Sequence, residues 1–151
     1  EGYPPCTAKA CMTILQHYGI PISGKRVVVL GRSLVIGKPV AMLLLQQDAT
    51  VTLCHSKSEN LREICQEADI IIAAIGRMEL VQSDFIRKDG TQTIIDVGIH
   101  VKDDGKLTGD VDFSDVEQHV AAITPVPGGI GAVTTSILVE HVICAAEQTL
   151  A

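Results

Sequence analysis

Apolar residues fall along this chain in two rhythms. Runs dominated by branched apolar residues, at Arg26 to Leu30, Val51 to Cys54, Asp69 to Ala74, Thr93 to Val97 and Ala121 to Thr124, have the length of strands buried on both faces. Between them apolar positions recur at helical spacing. Cys11, Ile14, Leu15 and Tyr18 mark a helix from Thr7, its predicted cap, to Tyr18, with Gly19 as the stop. Pro39 suits the first turn of the next helix, whose buried face carries Val40, Leu43 and Leu44. Further helices are predicted from Glu59 to Glu67, as a short turn at Phe85 and Ile86 capped by Ser83, from Ser114, and from Val133 to Thr149. Lys102-Asp103-Asp104-Gly105-Lys106 predicts a hairpin tip with both central residues at positive φ. Strands alternating with helices in this way predict an α/β fold: a three-layer doubly wound parallel sheet, Rossmann-like, with a small hairpin. No repeat or low-complexity tract interrupts the pattern, so a single domain over residues 1–151 is expected.

The polar residues that break the pattern concentrate where strands end. Gly31-Arg32-Ser33, His55-Ser56-Lys57, Gly76-Arg77, Gly98-Ile99-His100 and the run from Pro125 to Gly131 each follow directly on a predicted strand. In an open parallel sheet those five loops share the carboxyl edge, where ligands bind near the switch point. The first loop joins strand to helix between two glycines, Gly31 and Gly37. Unpaired N–H groups in the first turn of such a helix make the junction an anion site. The loop reads G-R-S-x-x-x-G, which is not the common dinucleotide fingerprint G-x-G-x-x-G. After the second strand, an NAD site typically carries an acid for the ribose 2′-hydroxyl, whereas this chain offers His55, Ser56 and Lys57 and no acid before Glu59. An arginine with a hydroxyl donor suits a 2′-phosphate, because charge-assisted hydrogen bonds contribute roughly 1.5–3 kcal/mol each. Arg32, Ser33 and Ser56 therefore predict NADP as the cofactor.

Composition narrows the picture. The chain is 46% apolar with 3% aromatics and no tryptophan, which leaves Val, Ile, Leu and Ala to build the core. A net charge of −6 without any basic run argues against a nucleic-acid or anionic-membrane partner. Cys6, Cys11, Cys54, Cys65 and Cys144 form no C-x-x-C and no disulfide framework, and are expected as reduced thiols of a cytoplasmic-type protein. The longest unbroken apolar run, Ile70 to Ile75, is strand-sized, so no membrane span is expected. The opening Glu-Gly-Tyr-Pro-Pro-Cys-Thr, without an initiator methionine, reads as part of a longer chain.

Catalytic groups are harder to find. His17 and His141 fall in predicted helices as packing or surface residues, and His119 in a loop. His55 and His100 sit at strand ends without an acid close in sequence. No G-x-S-x-G surrounds Ser33 and no set of residues has metal-ligand spacing, so neither a catalytic residue nor a metal site is assigned.

Six segments together resemble the C-terminal cofactor domain of the bifunctional methylenetetrahydrofolate dehydrogenase/cyclohydrolases. They are Pro5-Cys6-Thr7, Gly31-Arg32-Ser33 with Gly37 and Pro39, Cys54-His55-Ser56-Lys57, Asp96-Val97-Gly98-Ile99, Gly109-Asp110-Val111, and Thr124 through Gly131. Two sites depart from the family pattern. Ala8 and Ala10 replace the residues of P-C-T-P-x-G, and Ala132-Val133 replaces the P-M of V-G-P-M-T. The resemblance implies that Gly31, Arg32, Ser33, Ser56 and Ile99 hold NADP, with Ile99 against the nicotinamide half. It further implies that Pro127, Gly128, Gly129, Ile130 and Gly131 border the folate. The implied activity is oxidation of 5,10-methylenetetrahydrofolate, then hydrolysis of the methenyl product to 10-formyltetrahydrofolate. The family's catalytic lysine and tyrosine belong to an N-terminal domain outside this sequence, so the isolated chain is expected to be inactive. The resemblance also implies a homodimer and a cytoplasmic or mitochondrial setting. Two alternatives stay open: a dinucleotide-binding module without turnover, and a shikimate-dehydrogenase-like reductase, which fits the sheet but not Pro125-Val126-Pro127-Gly128-Gly129.

Overall fold

The computed structural model describes residues 2–150. Its helices are α1 (Cys6–His17), α2 (Gly37–Gln46), α3 (Leu61–Glu67), α4 (Phe113–Val116) and α5 (Ile130–Leu150). Five strands, β1 (Arg26–Leu30), β2 (Thr50–Cys54), β3 (Ile70–Ala73), β4 (Thr93–Asp96) and β7 (Ala122–Ile123), make an all-parallel sheet in the order β2-β1-β3-β4-β7. Between β4 and β7 the chain forms an antiparallel hairpin of β5 (His100–Val101) and β6 (Leu107–Thr108). From β1 the sheet first extends outward to β2, then resumes on the opposite side at β3. The direction reverses between β1 and β3, and a crevice opens at their carboxyl ends.

Alternation along the strands explains the three layers. Val27, Val29, Ile70, Ile72 and Ile95 pack into one core with α1, α2 and α5. Val28, Leu30, Ile71, Ala73 and Ile94 point the other way, into a second core with α3, α4 and a 3₁₀ turn at Ser83–Phe85. Strands buried on both faces cannot alternate apolar with polar, which is why they read as continuous runs. Ala8 and Ala10, the two departures in the first segment, are fully buried in an unbroken α1.

Element ends differ from the sequence reading in instructive ways. Thr7 does not cap α1, which starts at Cys6 behind Pro5 with no side-chain cap. α3 starts at Leu61 because Asn60 takes a left-handed conformation, φ 55°. Ser83 caps nothing; its N–H donates instead to Asp115 Oδ2 at 2.7 Å. Asp112, not Ser114, caps α4 by accepting from the Asp115 N–H. At the hairpin tip Gly105 alone has positive φ, and its N–H donates to the Lys102 carbonyl at 2.8 Å. That is a three-residue loop ending in a left-handed glycine, not the two-residue turn expected.

α5 begins at Ile130, three residues before the expected start, and pairs with α1. Lys9 Nζ lies 2.9 Å from Glu140 Oε2, Cys6 Sγ lies 3.7 Å from His141 Nδ1, and the Tyr3 ring covers His141 with centroids 4.8 Å apart. His141 Nε2 is buried without a partner among the described residues. Leu138, Val139, Val142 and Ile143 are exposed on α5. Among the described residues α5 alone is long and apolar enough to cross a membrane, with a mean hydropathy of 1.4 over a window only 17% buried. No long unbroken apolar run marks it because Thr134, Thr135 and Ser136, and then Glu140 and His141, divide the apolar sequence. The five cysteines are free, and Cys11 and Cys65 are buried so deeply that their thiols are pushed up to about 12.

Candidate functional site

Parallel pairing brings the five strand-end loops to one edge of the sheet, and they differ in how they are held. Gly31 closes β1 at φ 114°, and a Cβ there would overlap the Ala74 carbonyl at the end of β3. Its N–H donates to the Cys54 carbonyl at 2.9 Å, which sets the β1 loop beside the β2 loop. Gly37 packs directly on the Gly31 carbonyl, so the loop closes on itself. Ser33 Oγ accepts from the N–H groups of Ile36 (3.0 Å) and Gly37 (3.4 Å), while its carbonyl accepts from Lys38 at 3.0 Å. The first-turn donors expected to be available to an anion are therefore already used by Ser33. The available donors lie one step earlier: among the described residues no hydrogen bond engages the N–H of Arg32, Ser33, Leu34 or Val35. Arg32 is exposed and forms no ion pair among the described residues.

The β2 loop is equally local. The His55 N–H donates to Ser58 Oγ at 2.9 Å, the Ser58 N–H to the His55 carbonyl at 2.9 Å, and the Lys57 N–H to His55 Nδ1 at 3.1 Å. Accepting at Nδ1 places the neutral ring's proton on Nε2. Ser56 stands exposed at the crest of this turn with its hydroxyl unengaged among the described residues. Arg32, Ser56 and Lys57 thus present a guanidinium, a hydroxyl and an ammonium at neighbouring strand ends.

The β4 side is organised by two buried carboxylates. Asp96 ends β4; its Oδ1 accepts from Gly98 (2.9 Å) and Asp110 (3.0 Å), and its Oδ2 from Val111 (3.0 Å). Burial outweighs those three bonds, and the Asp110 charge adds to it, so the Asp96 carboxyl is pushed up to about 6. Asp110 is fully buried; its Oδ2 accepts from the Gly76 N–H at 2.9 Å, and His100 Nε2 lies 2.7 Å from its Oδ1. A Cβ on Gly98 would overlap the Asp110 carboxylate, and one on Gly109 would overlap that of Asp96. His100, read from sequence as lacking an acid, has one: the hairpin turns the chain back and delivers Asp110 from ten positions away.

A cleft of about 480 Å³ lies between this carboxylate pair and the start of α5. Val97, Gly98, Ile99 and Leu107 form one wall, the run from Pro125 to Ala132 the other, and Thr7 and Ile36 the ends. Gly131 and Ile130 belong to the first turn of α5 and not to a loop, and the Val126–Pro127 peptide is cis. Of the residues expected at the site, Ile99 and Pro127, Gly128, Gly129, Ile130 and Gly131 meet in this cleft; Gly31, Arg32, Ser33 and Ser56 lie at the β1–β2 end of the edge. Sequence reasoning did not place Ile36 or Leu107 at the site, and it quoted Thr7 in Pro5-Cys6-Thr7 without assigning it to the cleft. It also missed the pairing of Asp96 with Asp110, for which one signal existed: an acid closing an otherwise apolar strand. Apart from Asp96, no side chain lining the cleft can titrate, and no group of metal ligands forms among the described residues.

Comparison with known proteins fits this geometry. The family model "Tetrahydrofolate dehydrogenase/cyclohydrolase, NAD(P)-binding domain" matches residues 5–150. The bifunctional protein FolD of Carboxydothermus hydrogenoformans is 55% identical over 148 residues, which cover 97% of this chain and 51% of that one. A crystal structure of the bifunctional enzyme FolD-methylenetetrahydrofolate dehydrogenase/cyclohydrolase from Campylobacter jejuni superposes with a TM-score of 0.95 at 40% identity, covering 99% of this chain and 52% of that one. The Trypanosoma brucei enzyme, complexed with NADP cofactor and inhibitor, gives 0.88 at 41% identity, covering 97% of this chain and 51% of that one. The chain thus spans about half the length of the relatives it matches.

Proposed function

Because the chain belongs to the tetrahydrofolate dehydrogenase/cyclohydrolase family as its NAD(P)-binding domain, we propose that it holds NADP along the carboxyl edge of its sheet and lends one wall of a folate site to a longer protein. Arg32 and Ser56 take the 2′-phosphate, and the unengaged N–H groups of Arg32 through Val35 take the pyrophosphate beside Gly31 and Ser33. Ile99 lies against the nicotinamide half. Pro127, Gly128, Gly129, Ile130 and Gly131 border 5,10-methylenetetrahydrofolate. When bound, NADP supplies the hydride acceptor for oxidation of the folate methylene. The chain's own part is to bind, orient and exclude water. No lysine or tyrosine lines the cleft, which supports placing the catalytic groups of both the oxidation and the hydrolysis to 10-formyltetrahydrofolate outside this chain. The longer protein is read as a cytoplasmic homodimer with no nucleic-acid or membrane partner.

The observation that carries this reading is the β1 loop: a guanidinium and four N–H groups without partners among the described residues, on the strand neighbouring the exposed Ser56 hydroxyl. Where the family pattern has proline, the Ala132 N–H donates to the Gly129 carbonyl at 3.3 Å, a bond that proline could not make. Calorimetry tests it. NADPH should bind at least tenfold tighter than NADH, and Arg32→Ala should remove about tenfold from NADPH alone. Equal affinities in the unsubstituted chain would refute the NADP assignment. The isolated chain should show no dehydrogenase or cyclohydrolase turnover.

A further inference from the structure

Ile99 is the one apolar side chain of the β4 loop that stands well out at the cleft, 64% exposed, yet both of its chain neighbours are tied to buried carboxylates. On its N-terminal side the Gly98 N–H donates to Asp96 Oδ1, and the Gly98 Cα packs on the Asp110 carboxylate. On its C-terminal side His100 Nε2 donates to Asp110 Oδ1 at 2.7 Å. The second oxygen of Asp110 accepts from Gly76 in the loop after β3, 34 positions away in sequence. One buried carboxylate therefore fixes three segments that are not neighbours in sequence: the β3 loop, the β4 loop and the root of the hairpin. A flexible loop carrying an exposed isoleucine would need none of this. An isoleucine that must meet a planar ring at one height would need all of it.

We propose that Asp110 and His100 are positioning residues that set Ile99 against the nicotinamide end of the dinucleotide, leaving the adenosine end to the β1 and β2 loops. His100 does not itself line the cleft, so its effect reaches a ligand through the segments that Asp110 holds, of which Ile99 is the most exposed at the cleft. The proposal rests on the cofactor reading above, and it divides the binding edge into two parts that respond separately to substitution.

The test uses this chain, with NADPH as the whole ligand and 2′,5′-ADP as a probe of the adenosine end alone. His100 is the residue to change, because it is partly exposed whereas removal of the buried Asp110 would perturb the fold. His100→Ala should weaken NADPH five- to tenfold and leave 2′,5′-ADP within twofold. His100→Gln, which keeps a donor at the reach of Nε2, should restore NADPH binding to within threefold of the original. Ile99→Ala should reproduce the selective loss without disturbing the carboxylates. Equal weakening of both ligands by His100→Ala, or no weakening of either, would overturn the proposal. So would a His100→Gln variant as weak as the alanine. An unsubstituted chain that bound neither ligand would overturn the cofactor reading itself, and this proposal with it.

Discussion

The two ends of the binding edge are built on opposite plans. At the β1–β2 end each loop is held by its own neighbours: Ser33 serves Ile36 and Gly37, and His55 and Ser58 serve each other. At the β4–β7 end the supports come from afar, with Asp96 reaching Asp110 and Val111 and Asp110 reaching Gly76. The first end leaves its charged side chains in water, and the second buries them. A locally closed loop leaves its exposed donors free to follow a ligand, whereas a loop tied to a buried carboxylate cannot move without opening the core. The molecule thus combines an adaptable grip with a fixed wall.

The largest expected effect probes the one place where the local end depends on distance. Gly31→Ala combines a positive-φ backbone with overlap of the Ala74 carbonyl, and should cost at least about 4 kcal/mol in a urea titration. At the other end, Asp110→Ala leaves the Gly76 N–H and the half-buried His100 without their shared acceptor and empties a fully buried site, and should cost about 3 kcal/mol, read as a lower thermal midpoint with the hairpin amides losing exchange protection. Asp110→Asn, which keeps an acceptor, should recover part of that loss.

Acidity separates the two ends next. Asp96 holds its proton up to about pH 6 in the folded chain but releases it near its ordinary value when unfolded. Between those values the folded state binds the extra proton, so stability is highest below pH 4 for this group and falls as pH rises through 6. The loss is about 2–3 kcal/mol, and Asp96→Asn should flatten that slope in melts between pH 4 and 7. The smallest expected effect is Ser33→Ala, at about 1 kcal/mol, because only a local cap is lost. If Ser33→Ala proved as damaging as Asp110→Ala, the contrast between the ends would be wrong.

The same contrast decides what could be read from the chain. Strands β1 and β3 were legible because burial on both faces leaves no polar residue in residues 27–30 or 70–73, and the gathering of the loops at one edge followed from parallel topology. The strand-end positions of Ser33 and Ser56 were legible because their surroundings are written within a few residues. His100 was misread, and the donors of the β1 loop were placed one step too late, for different reasons. Asp110 reaches His100 only through a hairpin, which no local pattern announces, while Ser33 claims the helix's first-turn donors through a bond that depends on rotamer as well as residue type. Cap positions suffered likewise. Ser83 and Ser114 have good capping chemistry, but Asp115 and Asp112 lie nearer the groups in need.

The pairing of α1 with α5 has a consequence for the order in which the molecule assembles. Lys9 meets Glu140 and Cys6 meets His141 across 131 and 135 positions of chain. Loop closure becomes dearer with length, by about 0.6 kcal/mol for each doubling, and nothing rewards it until both partners are in place. The strands β1, β2 and β3 close much shorter loops, so the sheet forms before its outer helical layer is complete. In hydrogen exchange, α5 should become protected after β1 during refolding and should open before β1 in the folded chain.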